Sequence, residues 1–107
     1  YTVLLRGDGL APAWRAEFLR CLLGQQCRNK LPSGLPRAAM LAHKTGDQAQ
    51  VEHDAGIFFA PDTQFPTTDP PKPKLIAVVM TMDLAHNVDG VLLCRRLGEL
   101  AWQWVSR

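Results

Sequence analysis

AHKTGDQAQVEHDAGIFFAP, residues 42–61, is the stretch on which the fold turns. It holds a short apolar run that ends in Lys-Thr-Gly, a polar middle, and a second apolar run rich in aromatic residues. Ala38 to Thr45 and Asp54 to Ala60 have the length and content of strands. Residues 47–53 are polar, so a hairpin linked through about eight residues is the economical connection. Downstream, Lys74 to Met82 (KLIAVVMTM) is β-branched and continuous, which predicts a third strand buried on both faces and therefore central.

Working outward, the flanks carry helix signals. Tyr1 to Leu5 is apolar and stops at Gly7-Asp8-Gly9. Because it reads as the last turns of a helix already under way, a processed or truncated chain is expected. In LAPAWRAEFLRCLLGQQ, Pro12 suits a first helical turn, and Trp14, Phe18 and Leu22 fall four apart. Leu19 and Leu23 widen that stripe and Gly24 closes it. The following CRNKLPSGLPR, with two prolines and a glycine, is a loop. Residues 61–73 hold five prolines and should form a stiff loop. Asn87 is a candidate N-cap for a helix to about Val105, with Leu93, Leu97, Leu100, Ala101 and Trp104 along one face. The expected fold class is α+β: a three-stranded antiparallel sheet packed by helices, with residues 1–107 forming a single partial domain.

Bulk properties narrow the function. The 107 residues suffice for one compact domain. Net charge is +2 with the basic residues dispersed, so there is no electrostatic case for nucleic acid. No apolar run reaches the roughly 18 residues of a membrane span. Cys21, Cys27 and Cys94 have no metal-ligand spacing, and being three they cannot all pair within the chain. Cys21 and Cys94 sit in apolar helical stretches and read as small core residues. His43, His53 and His86 match no zinc motif, so no metal is expected. Trp102 and Trp104, near a helix end, read as packing anchors.

Lys44-Thr45-Gly46 has two readings on residues alone. It can simply close a strand into a turn. It can also take an anion: Gly46 lets a ligand approach the backbone, Thr45 offers a hydroxyl, and Lys44 supplies a point charge. The N–H of Asp47 could then donate to a developing oxyanion.

In its wider order the chain resembles the class A β-lactamase and penicillin-binding protein family. There a Lys-Thr-Gly strand faces the active site, a second strand begins near an Asp that corresponds to Asp54, and a third apolar strand and a closing helix follow. The upstream LLRGDGLAPAWRAEFLRCLLGQQ is similar to the two family helices before that strand. It includes the Leu-Leu-x-Gly run (Leu4 to Gly7) and Leu-x-Pro-x-x-Arg (Leu10 to Arg15). The resemblance implies the C-terminal, substrate-binding part of a serine hydrolase that works by acyl transfer on β-lactams or related substrates. By the same resemblance Lys44 and Thr45 would bind the substrate carboxylate and Gly46 would keep the strand open. The Asp47 N–H would supply half of an oxyanion hole, and His43 and Asp54 would be structural, Asp54 capping or pairing locally.

The departures are as informative. The family nucleophile lies in Ser-x-x-Lys, whereas Ser33 and Ser106 are not followed by Lys three residues on. With no Ser-Asp-Asn element either, this chain alone is predicted inactive, with the nucleophile elsewhere. The implied partners are the N-terminal half of the same protein, or a second copy exchanging elements, and a small β-lactam or peptidoglycan-type substrate. No cofactor is implied, and the family habit is secretion. A non-catalytic binding module on the same scaffold and a peptidoglycan D,D-peptidase are the alternatives. Asp47 and Glu52 stand where relatives carry neutral or cationic residues. If both point into the cleft, each would oppose an anionic substrate by about 1 to 4 kcal/mol at close range.

Overall fold

The computed structural model describes residues 1–65 and 71–107, so residues 66–70 of the expected proline loop lie outside the described residues. Among the described residues the elements follow in the order α1 (Thr2–Arg6), α2 (Pro12–Leu23), the 3₁₀ turn Leu31–Gly34, β1 (Leu41–Gln48), β2 (Val51–Phe59), β3 (Pro73–Val79) and α3 (Asn87–Val105). The sheet runs β1-β2-β3, antiparallel throughout, as expected. Among the described residues β2 is central and β3 lies at an edge with Val78 exposed, which corrects the expectation of a central third strand. The apolar, two-faced composition of β3 exceeds what the described residues cover.

The hairpin is tighter than its polar middle suggested. Pairing continues from Leu41↔Phe58 through Asp47↔Glu52 to Gln48↔Val51, which leaves only Ala49 and Gln50 as the turn. Gln50 takes the left-handed backbone, with φ 65°. Asn87 holds this turn. Its Oδ1 accepts from the Gln50 N–H at 2.9 Å, and its Nδ2 donates to the Gln48 carbonyl at 2.7 Å. Asn87 is thus the first residue of α3 and not its N-cap, because the turn competes for its amide.

Two apolar clusters sandwich the sheet. On one face Leu31, Leu41, Phe58, Val79, Cys94, Ala101 and Val105 join the 3₁₀ turn, the sheet and α3. On the other, Leu4, Leu19 and Leu22 of α1 and α2 meet Ala42, Ile57 and Phe59. Each long helix buries only part of the stripe its large residues suggested. In α3 the buried residues are Gly90, Cys94, Gly98, Ala101 and Val105, while Leu93, Leu97, Leu100 and Trp104 are exposed. The cause is close approach: a Cβ on Gly98 would collide with the Leu31 carbonyl group, standing 2.9 Å from its carbon. Only small residues allow α3 to lie this near the turn. In α2, Leu19 and Leu22 are buried and Trp14 and Phe18 are exposed, because the described residues offer that helix only the β1 side of the sheet.

Candidate functional site

The candidate site is the outer edge of β1, unpaired among the described residues, and hydrogen bonding decides which groups reach it. Both the N–H and the carbonyl of Glu52 bond to the Thr81 hydroxyl, at 2.9 and 2.7 Å, so they face the β3 side. Asp47↔Glu52 is therefore a non-hydrogen-bonded pair of the antiparallel ladder, and Asp47 turns its own N–H away from β2. By the same alternation the N–H and carbonyl of Thr45 also face outward. Since β1 is the outer strand, these groups open onto the edge.

The side chains alternate across the sheet. Lys44 is exposed on the face covered by α1 and α2, and its Nζ curls to the edge, where it donates to the Thr45 carbonyl. The Thr45 side chain lies on the opposite face and is buried, so the two side chains are not brought together on one face. What brings Lys44, Thr45 and Asp47 together is the main chain at the edge. Between them Gly46 has no positive φ, and a Cβ there would meet only ordinary contacts, His53 Cβ at 3.7 Å and Cδ2 at 3.8 Å. Neither backbone nor packing among the described residues demands glycine at this position.

Behind the edge lies a polar cluster that the loop reading of residues 27–37 missed. Lys30, 2% exposed, sends its ammonium to the Gly46 carbonyl at 3.0 Å and the His53 carbonyl at 3.1 Å. Its third partner is Glu52 Oε2 at 2.7 Å, and Asp47 Oδ1 lies at 3.7 Å. Glu52 also accepts from Asn87 Nδ2 at 2.9 Å. Burial would raise the Glu52 carboxyl, but the hydrogen bonds from Lys30 and Asn87 and the nearby Lys30 charge outweigh it and hold the group below its ordinary value. Asp47 and Glu52 consequently point to the Lys30 side of the sheet, the face opposite Lys44. Glu52 is buried and neutralised there by Lys30, whereas the Asp47 carboxylate, 3.7 Å from the same ammonium, stays exposed.

The neighbouring residue continues the tether. The Leu31 N–H donates to Asp54 Oδ2 at 3.0 Å, and His43 Nδ1 lies 3.0 Å from Asp54 Oδ1. Both side chains are buried. Asp54 therefore pairs across the strands and over 23 residues of sequence to the turn, a longer reach than local capping. His43 Nε2 has no partner among the described residues, and Nδ1, facing the Asp54 carboxylate, is the nitrogen that donates. On the Lys44 face the Tyr1 hydroxyl donates to the Ala55 carbonyl at 2.8 Å. Burial and the Asp54 charge push this phenol up and keep it a donor.

Cys94 is buried, and burial raises its thiol, as suits a packing residue. Cys21 is exposed, contrary to its reading as a core residue, because it lies off the narrow Leu19–Leu22 contact. Trp104 is exposed rather than a packing anchor, while Trp102 packs against the first cluster. Among the described residues no cluster of His, Cys, Asp and Glu could hold a metal ion.

The model of the Beta-lactamase enzyme family matches residues 1–105. The chain belongs to that family. Among solved structures it is similar to PBP-A, captured in one case as a point mutant in an acyl-enzyme complex with penicillin G. That match has a TM-score of 0.76 at 27% identity and covers 94% of this chain and 35% of that one. A second PBP-A structure gives a TM-score of 0.75 at 25% identity, covering 96% of this chain and 36% of that one. The chain thus spans about a third of the length of these relatives. No curated protein matches the sequence.

Proposed function

We propose that these residues form the substrate-anion wall of a serine acyl-transfer hydrolase acting on β-lactams or related substrates. The observation that carries this reading is the outer edge of β1, where the Lys44 ammonium and the outward Asp47 N–H flank Gly46. Lys44 pairs with the substrate carboxylate, and Thr45 contributes through its outward main chain. Gly46 lets the scissile carbonyl approach the strand. The Asp47 N–H donates to the oxyanion that forms when a serine attacks that carbonyl. The PBP-A structure holding penicillin G as an acyl-enzyme supports this chemistry for a relative of the same fold.

The attacking serine comes from another segment. Ser33 Oγ is committed to the Lys30 carbonyl at 2.7 Å, and Ser106 caps the end of α3. The N-terminal half of the same protein is the partner that would bring it. Such a segment has a surface waiting: Leu75 and Val78 of β3 line a groove with Leu97, Leu100 and Trp104 of α3.

A fluorescent penicillin tests the reading. The full chain in which these residues occur should be acylated on a serine outside them. Lys44→Ala should slow acylation about tenfold to a hundredfold, the worth of one charge-assisted hydrogen bond, at unchanged melting temperature. Label on Ser33 or Ser106, or no label at all, would sink the proposal, the second outcome favouring a non-catalytic module. Rapid turnover of a chromogenic cephalosporin separates a lactamase from a peptidase, which would hold the acyl group.

A further inference from the structure

We propose that Lys30 is the positioning residue of this site: by holding the Gly46 carbonyl it aims the Asp47 N–H at the open edge of β1. The inference rests on the reading of that edge as an acyl-transfer site and adds a residue from outside the strand. A peptide unit is rigid and planar, so the carbonyl of one residue and the N–H of the next point in opposite directions as one body. The carbonyl of Gly46 and the N–H of Asp47 are the two ends of such a unit. Fixing one end sets the other.

Three features make Lys30 the clamp. First, its ammonium donates to the Gly46 and His53 carbonyls and pairs with Glu52 Oε2 at 2.7 Å, three close oxygens that give the buried group one settled position. Second, Gly46 and His53 are register partners in a hydrogen-bonded pair of the ladder, so each carbonyl already accepts one strand N–H, and the ammonium adds a second donor to both carbonyls of that single rung. Third, a peptide beside glycine has more freedom to tilt than any other, and one ladder bond leaves that tilt for the second donor to restrict. Lys30 is itself anchored, because Leu31 bonds to Asp54 and Ser33 bonds back to the Lys30 carbonyl.

The test uses the full chain carrying Lys30→Arg, Lys30→Met, or Lys30→Met together with Glu52→Gln, with Glu52→Gln alone as reference. The double variant removes the cation and its buried counter-charge together, so it serves if Lys30→Met leaves Glu52 uncompensated and fails to fold. Two readouts are taken. The amide resonance of Asp47, without ligand, reports the peptide directly. The penicillin acylation rate and the infrared band of the acyl carbonyl report the oxyanion contact. In the double variant the Asp47 resonance should move beyond that of the reference. Acylation should slow about tenfold to a hundredfold, less than or comparable to deleting an oxyanion donor. The acyl carbonyl band should shift to higher frequency, and Lys30→Arg should restore most of all three. An unmoved Asp47 amide, with only the melting temperature lowered, overturns the proposal and leaves Lys30 as a structural tether. If the unaltered protein takes no penicillin, the hydrolase reading falls, while the Asp47 resonance still decides the role of Lys30.

Discussion

The β1–β2 hairpin is held in two ways along its length. At the end where β1 starts, Leu41, Ala42, Ile57, Phe58 and Phe59 are buried between the two apolar clusters, and their contacts are non-directional. At the turn end, Asp47, Glu52, His53 and Asp54 bond to Lys30, Leu31, Thr81 and Asn87. Dispersion fixes how far apart layers lie; hydrogen bonds fix which way a carbonyl or an N–H points. A site built from main-chain groups needs the second kind of precision, and the proposed site lies at the end that has it.

Three changes would break or sharpen this contrast. The largest effect is expected from Asp54→Ala, which strips the acceptor from His43 Nδ1 and the Leu31 N–H inside the protein. Losing one side of such a buried network should cost about 3 to 5 kcal/mol in urea unfolding. A loss below about 1 kcal/mol would mean that the turn end is not held by this network. Next, Leu41→Ala at the apolar end should cost about 3 kcal/mol by cavity formation, equally at pH 4 and pH 7. A strong pH dependence of that loss would blur the division between the ends.

The smallest effect is a pH dependence at the turn end. The Glu52 carboxyl is held below its ordinary value, so its contribution is present above that value and lost as the pH falls through the folded one. Stability of the unaltered protein should therefore drop faster than that of Glu52→Gln as acid takes the solution below about pH 4.5. Parallel curves in acid titration of the melting temperature would remove Glu52 from the account.

Much of this was legible in the residues. Pro12 marked the start of α2, the span 87–105 of the last helix was plain, and the Lys-Thr-Gly strand stood out. What stayed hidden depended on distance through space. Lys30, between a polar run and a proline, looks like any solvated loop cation, since its acceptors lie 16 and 23 residues away. The signal that could have found it was the tight register: once Asp47 and Glu52 face each other, two like charges on adjacent strands call for a cation. Most of the buried stripe of α3 was missed because large residues draw attention. The repeat of small ones at Gly90, Cys94, Gly98 and Ala101 was the true contact line.

The outer edge of β3 has a consequence of its own. Among the described residues nothing pairs with that edge, and Val78 and the groove against α3 lie bare beside it. Unpaired strand edges are templates for further strands. Left open, that edge is sticky: a second strand of matching apolar pattern could pair along it, and copies of these residues could stack edge to edge.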